Sequence, residues 1–188
     1  GRILGAQTAG FDGADKRLDV LSTAIAGQMT VEDLGELDLS YSPPFGSAND
    51  PVNMAGFAAM NRMEEYSPAL TASEIEPYIQ NKKAAVIDIR DYFSFQKGHL
   101  EGSVNLPEDK VTAAAENLSK DTHLLVIDDT GKISHRVVRQ LLLNGYKNAC
   151  YVSGGYISLE RYAAVSGFEF LPVPPKIPEA KSLTGESQ

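Results

Sequence analysis

With a single cysteine, Cys150, and three scattered histidines, this 188-residue sequence can form no intrachain disulfide and no multi-cysteine metal site, and it offers no zinc-ligand spacing. No apolar run approaches the roughly 20 residues that span a bilayer, and the N-terminus lacks a basic region followed by a signal-type apolar core. The cytoplasm is therefore the expected compartment. Basic residues are the scarcer charge, 17 Lys and Arg against 25 Asp and Glu, for a net −8. Such a surface repels nucleic acid and anionic membranes as general partners, leaving room only for a local basic patch. No Gly-x-Gly-x-x-Gly fingerprint occurs, so neither FAD nor NAD(P)H has its usual glycine-rich cradle in these residues. The sequence also opens at Gly1 without a methionine, which suggests either a fragment or a processed chain. What it does have is a 43% hydrophobic content, enough for one sizeable core or for one domain plus part of another.

Two segments differ in character. In residues 1–65, Arg2–Thr8 reads as one short strand, Phe11–Gly13 as a turn, and Ala14, Leu18, Leu21 and Ile25 fall at helical spacing along one face. Thr30–Leu34 and an irregular Leu39–Phe45 follow, then a helix expected from Asp50 with Pro51 in its first turn. One strand makes no stable sheet, so this segment reads as part of a larger domain whose other strands lie upstream. In residues 66–172, strands alternate with helices. Thr71 opens a helix, Ala84–Ile87 is a buried strand, and a short helix is expected near Leu106–Asn117. Leu124–Ile127 is the next strand; Ile133, Val137, Val138, Leu141 and Leu142 give the following helix its apolar face, Gly145 its left-handed cap, and Ala149–Val152 a third strand. This alternation predicts a doubly wound parallel α/β sheet. Residues 173–188, proline-rich and then polar, are expected to trail as an extended tail.

In such sheets ligands gather beyond the carboxyl ends of the strands, which makes Asp88 and Asp128 site candidates. The loop Asp128-Asp129-Thr130-Gly131-Lys132-Ile133-Ser134 turns from strand into helix, where backbone N–H groups and the helix N-terminus favour an anion. Asp128 there reads first as a cap on those N–H groups, or alternatively as half of a cation-gripping pair with Asp129. Leu125–Asp129 also echoes a receiver-domain acidic pair, and Asp128–Lys132 a phosphorylated-aspartate loop. Both phosphoryl readings lack their later aspartates, since no Asp follows Asp129. Cys150, in a strand pattern, reads as a small buried hydrophobe rather than a displaced nucleophile. His99, before a turn, reads as a hydrogen-bonding structural residue, and Asp88 with Arg90 as a scaffold pair.

Asp88-Ile89-Arg90, Gly98-His99-Leu100-Glu101-Gly102 through Pro107, the loop at Asp128, Gly145-Tyr146 and Val152–Tyr156 together resemble the rhodanese family over about residues 70–170. That family's active loop reads Cys-x-x-Gly-x-Arg-Ser. Here glycine and serine remain, while Asp128 stands for the nucleophilic cysteine and Ile133 for the arginine. The resemblance implies a rhodanese-like fold whose sulfur transfer is lost. A carboxylate cannot hold sulfane sulfur, and Asp129 beside it repels an anionic donor.

Gly1–Gln7, Asp15–Val20, Thr30–Leu34 and Leu37–Asn53, with its Tyr41-Ser-Pro-Pro-Phe45 block, resemble the C-terminal half of a dimerisation domain. The family is the flavin-dependent pyridine nucleotide-disulfide oxidoreductases, in the coenzyme A-disulfide reductase and NADH oxidase branch. Some members carry a rhodanese domain directly afterwards. The resemblance implies a parent that uses FAD and NAD(P)H, and coenzyme A as a further ligand, all outside this chain, with a homodimer built on residues 1–65. Tyr41 matches a tyrosine offered across that dimer towards the partner's reacting cysteine; the plainer reading is a loop tyrosine covering apolar surface.

Overall fold

The computed structural model describes residues 1–44, 46 and 49–166. Phe45, and with it the end of the Tyr41 block, lies outside them, as does the expected tail over 173–188. The chain divides into two compact units, Gly1–Pro68 and Ala69–Gln188.

The first unit is helical: α1 (Ala14–Ala26), α2 (Val31–Glu36) and α3 (Pro51–Met63). Each helix start has a local cause. Thr30 and Asp33 form a capping box on α2, with Thr30 N–H donating to Asp33 at 2.8 Å. Asp50 caps α3 by accepting from Val52 N–H at 2.9 Å, with Pro51 at the first position where its missing N–H costs nothing. The buried Asn53 side chain donates to the carbonyls of Leu34, Gly35 and Leu37, fixing α3 against the end of α2. Two expectations are corrected. Arg2–Thr8 forms no strand, only an isolated antiparallel bridge from Arg2 to Thr30, because no second strand is there to pair with it. The buried side of α1 is Leu21 and Ala24, while Leu18 is exposed; the stripe is rotated towards α3, to which Arg17 is tied by a fork of hydrogen bonds to Asp50.

The second unit is a five-stranded, all-parallel sheet in the order β1-β5-β4-β2-β3. Its strands are β1 (Ala69–Leu70), β2 (Ala85–Asp88), β3 (Val104–Asn105), β4 (Leu124–Ile127) and β5 (Ala149–Val152). Its helices are α4 (Ala72–Lys82), α5 (Tyr92–Lys97), α6 (Glu108–Ala115), α7 (Lys132–Leu143) and α8 (Gly155–Ser166). The all-apolar β4 explains the layering. Side chains alternate across a strand, so Leu125 and Ile127 join Ile75 of α4 and Leu159 of α8 in one core, while Leu124 and Val126 join Val111 of α6 and Val138 and Leu141 of α7 in the other. Helices on both faces of a parallel sheet make the fold doubly wound, as expected. Gly145, at φ 88°, ends α7 where its left-handed cap was anticipated. Ile133 is the exception on α7. It is exposed, because the first turn of the helix projects beyond the sheet.

Candidate functional site

Between the carboxyl end of β4 and the first residue of α7 the chain has four residues, Asp128 to Gly131, of which Asp128 is the first. The helix proper is capped by Gly131, which takes a left-handed φ of 88° that disfavours a side chain and sits close against Val152 O and Gly154 N, where a Cβ would be crowded. Asp128 reaches forward from three residues earlier. Its Oδ1 accepts from Gly131 N–H at 2.6 Å and from the Ser134 hydroxyl at 2.7 Å, and its Oδ2 accepts from Ile133 N–H at 2.9 Å. Both oxygens are used and the residue is 4% exposed. The carboxylate therefore fills the anion site formed by the loop amides and the helix N-terminus.

The remaining loop residues spread outward. Asp129, Thr130 and Lys132 are exposed, Ser134 is buried beneath the carboxylate, and the Ile133 side chain faces solvent. Asp129 lines a separate crevice that Asp128 does not reach, so the two acids do not converge on one point. Across from the loop, the turn before α8 holds it in place. Tyr156 N–H donates to Asp128 O at 2.8 Å and Ile157 N–H to Asp129 O at 3.2 Å, so the first turn of α8 is satisfied by the loop's own carbonyls. Gly155, at φ 60°, packs so closely that a Cβ there would overlap Asp129 C and Thr130 N. This clamp escapes reasoning from sequence, because the paired residues, Asp128 with Tyr156 and Asp129 with Ile157, are 28 apart in the chain and only the fold brings them together.

Asp88 and Arg90 form the scaffold pair expected of them. Arg90 Nη2 donates to Asp88 Oδ2 at 2.7 Å and to Gly98 O at 2.6 Å, with Nε on both carboxylate oxygens, and both side chains are buried. The guanidinium also lies 3.5 Å from the centre of the Tyr156 ring. His99 is structural: its Nδ1 is 2.9 Å from Phe95 O and its ring stacks on Phe95. Cys150 belongs to the core beside α4 and α8, and burial pushes its thiol up to about 11, the reverse of what a nucleophile needs. In the first unit, Tyr41 is exposed.

The parallel sheet, the buried Asp88–Arg90 pair and the strand-to-helix loop are those of a rhodanese-like domain, and residues 71–161 match that family. The relatives place this domain within larger proteins. A 58-residue stretch is 47% identical to coenzyme A disulfide reductase of Staphylococcus aureus, covering 31% of this chain and 13% of the relative. Among solved structures, reduced Bacillus anthracis CoADR-RHD is similar over 86% of this chain and 28% of its own, at 34% identity and a TM-score of 0.76. A NAD-dependent persulfide reductase from A. fulgidus is similar over 74% of this chain and 24% of its own, at 28% identity and a TM-score of 0.62. The chain thus spans under a third of the length of these relatives. No helix among the described residues is long and apolar enough to cross a membrane.

Proposed function

We propose that this chain is the C-terminal region of an FAD-dependent NAD(P)H disulfide reductase or NADH oxidase. On this reading residues 1–65 serve dimerisation, and the rhodanese-like domain carries no sulfane sulfur. The observation that carries the second part is the Asp128 carboxylate seated on Gly131 N–H, Ile133 N–H and the Ser134 hydroxyl. Those donors would stabilise a thiolate or persulfide in a sulfurtransferase. Here they are already occupied by a group that is no nucleophile towards sulfane sulfur. Cys150 offers no substitute, being buried with a raised pKa. The first part is supported by the identity to coenzyme A disulfide reductase and by the similarity to two reductase structures. FAD, NAD(P)H and coenzyme A would be bound by upstream parts of the parent, with Tyr41 as the one residue of this chain offered towards its disulfide chemistry.

The test is thiocyanate production from thiosulfate and cyanide. The chain should show none above the uncatalysed rate. Turnover that survives Cys150→Ser would overturn the inactive-loop reading. Reduction of a disulfide by NAD(P)H in the longer protein, with a bound-flavin absorbance spectrum, tests the parent activity separately.

A further inference from the structure

At the carboxyl ends of β2 and β4 the chain departs in opposite directions, from β2 to its neighbour β3 and from β4 to its neighbour β5. In open α/β sheets the crevice at such a reversal is where ligands bind. Here it holds a cavity of about 200 Å³, lined by Arg90 from beyond β2, Lys97 of α5, Asp129 from beyond β4, and Tyr156 and Glu160 of α8. Asp128 is not among its walls.

The floor of this cavity is electrostatically settled. Arg90 is paired with Asp88, bonded to Gly98 O and laid on the Tyr156 ring. Its rim is not. Lys97, Asp129 and Glu160 are exposed, and none of them belongs to an ion pair among the described residues. One ammonium and two carboxylates therefore border the same small space without meeting one another. A simple anion entering it would face two carboxylates, and a simple cation would leave Lys97 unanswered within the cavity, since the acid that attracts it, Asp91, lies outside the lining. A ligand with both signs on adjacent atoms satisfies all three. The volume sets its size, since it lies below the roughly 300–1,000 Å³ of pockets for drug-sized molecules.

We propose that this crevice binds a small zwitterion of the α-amino-acid class, its ammonium held by Asp129 and Glu160 and its carboxylate by Lys97. The reading is independent of sulfur transfer, because the Asp128 carboxylate, which stands for the family's nucleophile, takes no part in it.

The experiment is a ¹⁵N–¹H NMR titration of the full chain with L-alanine, and in parallel with ethylamine and acetate. L-Alanine should give saturable shifts confined to amides around Ser94–Gly98, Asp129 and Tyr156–Glu160, with a Kd in the low-millimolar range, about −3 to −4 kcal/mol. Ethylamine and acetate should each bind about tenfold more weakly. Lys97→Met, and separately Asp129→Asn with Glu160→Gln, should weaken L-alanine by about fivefold or more. All three side chains are exposed, so the variants should keep the wild-type spectrum elsewhere. No saturable shift up to about 50 mM, equal binding of acetate or ethylamine, or unchanged affinity in Lys97→Met would each overturn the proposal. Thiocyanate production is unaffected by any of these outcomes.

Discussion

Replacing Asp128 with alanine strips the acceptor from two backbone N–H groups and a buried hydroxyl at once. An ordinary helix cap costs about 1 kcal/mol, and burial of the orphaned donors raises the expected loss here to about 2 kcal/mol. Urea denaturation of Asp128→Ala against the parent chain measures it, and a loss within experimental error would mean that water replaces the carboxylate freely. Asp128→Cys tests the same donors for chemistry. Alone it should transfer little sulfur, since Ile133 supplies no cation for the donor; with Ile133→Arg it should transfer more, and the exposed position of residue 133 leaves room for the longer side chain. Equal rates for the single and double variants would refute the need for that charge. Cys150 behaves oppositely. Its pKa of about 11 leaves about one thiol in a thousand ionised at pH 8, so alkylation should be slow in the native chain and fast in denaturant. The same shift predicts a pH dependence. The native thiol stays protonated to higher pH than the unfolded one, so its contribution to stability is complete below about 9 and is lost as pH rises towards about 11. Cys150→Ala should flatten that part of the decline in the urea midpoint, and an unchanged slope would count against the shift.

Among the elements, the clamp between the loop and the start of α8 invites a paired substitution. Gly155→Ala puts a methyl group into the backbone of Asp129 and Thr130 at a left-handed φ, whereas Gly102→Ala, at φ 76°, meets nothing within 4 Å. The second should cost about 1–2 kcal/mol, the left-handed penalty alone. The first should cost about 3 kcal/mol or more, because the loop must move as well. Similar losses for the two would show that the loop yields without strain. The same clamp marks the limit of what was legible in the sequence. β4, β5 and α7 announced themselves through continuous apolar runs, a 3.6-residue period and a glycine stop, and Thr71 and Asp50 announced helix starts. β1 and β3 have two residues each, too few to show any period. α5 was hidden because its only buried side chain is Phe95, and α8 because it begins on a glycine that reads as part of a turn. At the site, the capping role of Asp128 followed from a carboxylate before Gly131. The clamp did not, since it depends on contacts across the sheet.

For the whole molecule, the contrast between the two units decides what should happen in solution. The buried apolar cluster of the first unit is Leu21, Ala24, Leu34 and Val52 with a few half-buried neighbours, while the second unit has a full cluster on each face of its sheet. Within the first unit Leu4, Phe11, Leu18, Tyr41, Met54 and Met63 are exposed. Three helices around so small a core bury little apolar surface, and an independent fold of that size is marginal. Residues 1–65 are therefore expected to be the less protected part of the chain and to hide surface by association. A symmetric dimer is the simplest closed arrangement, because one patch then covers its own copy. Sedimentation velocity of the full chain beside residues 69–188 tests this. The full chain should associate with rising concentration and the trimmed one should remain a monomer. Hydrogen exchange adds the second arm, with amides of α1 to α3 exchanging faster than those of β4 and α7 under dilute conditions and slowing as association proceeds. A full chain that stays monomeric while its first 65 residues exchange as slowly as the sheet would defeat both the marginal-core argument and the dimer.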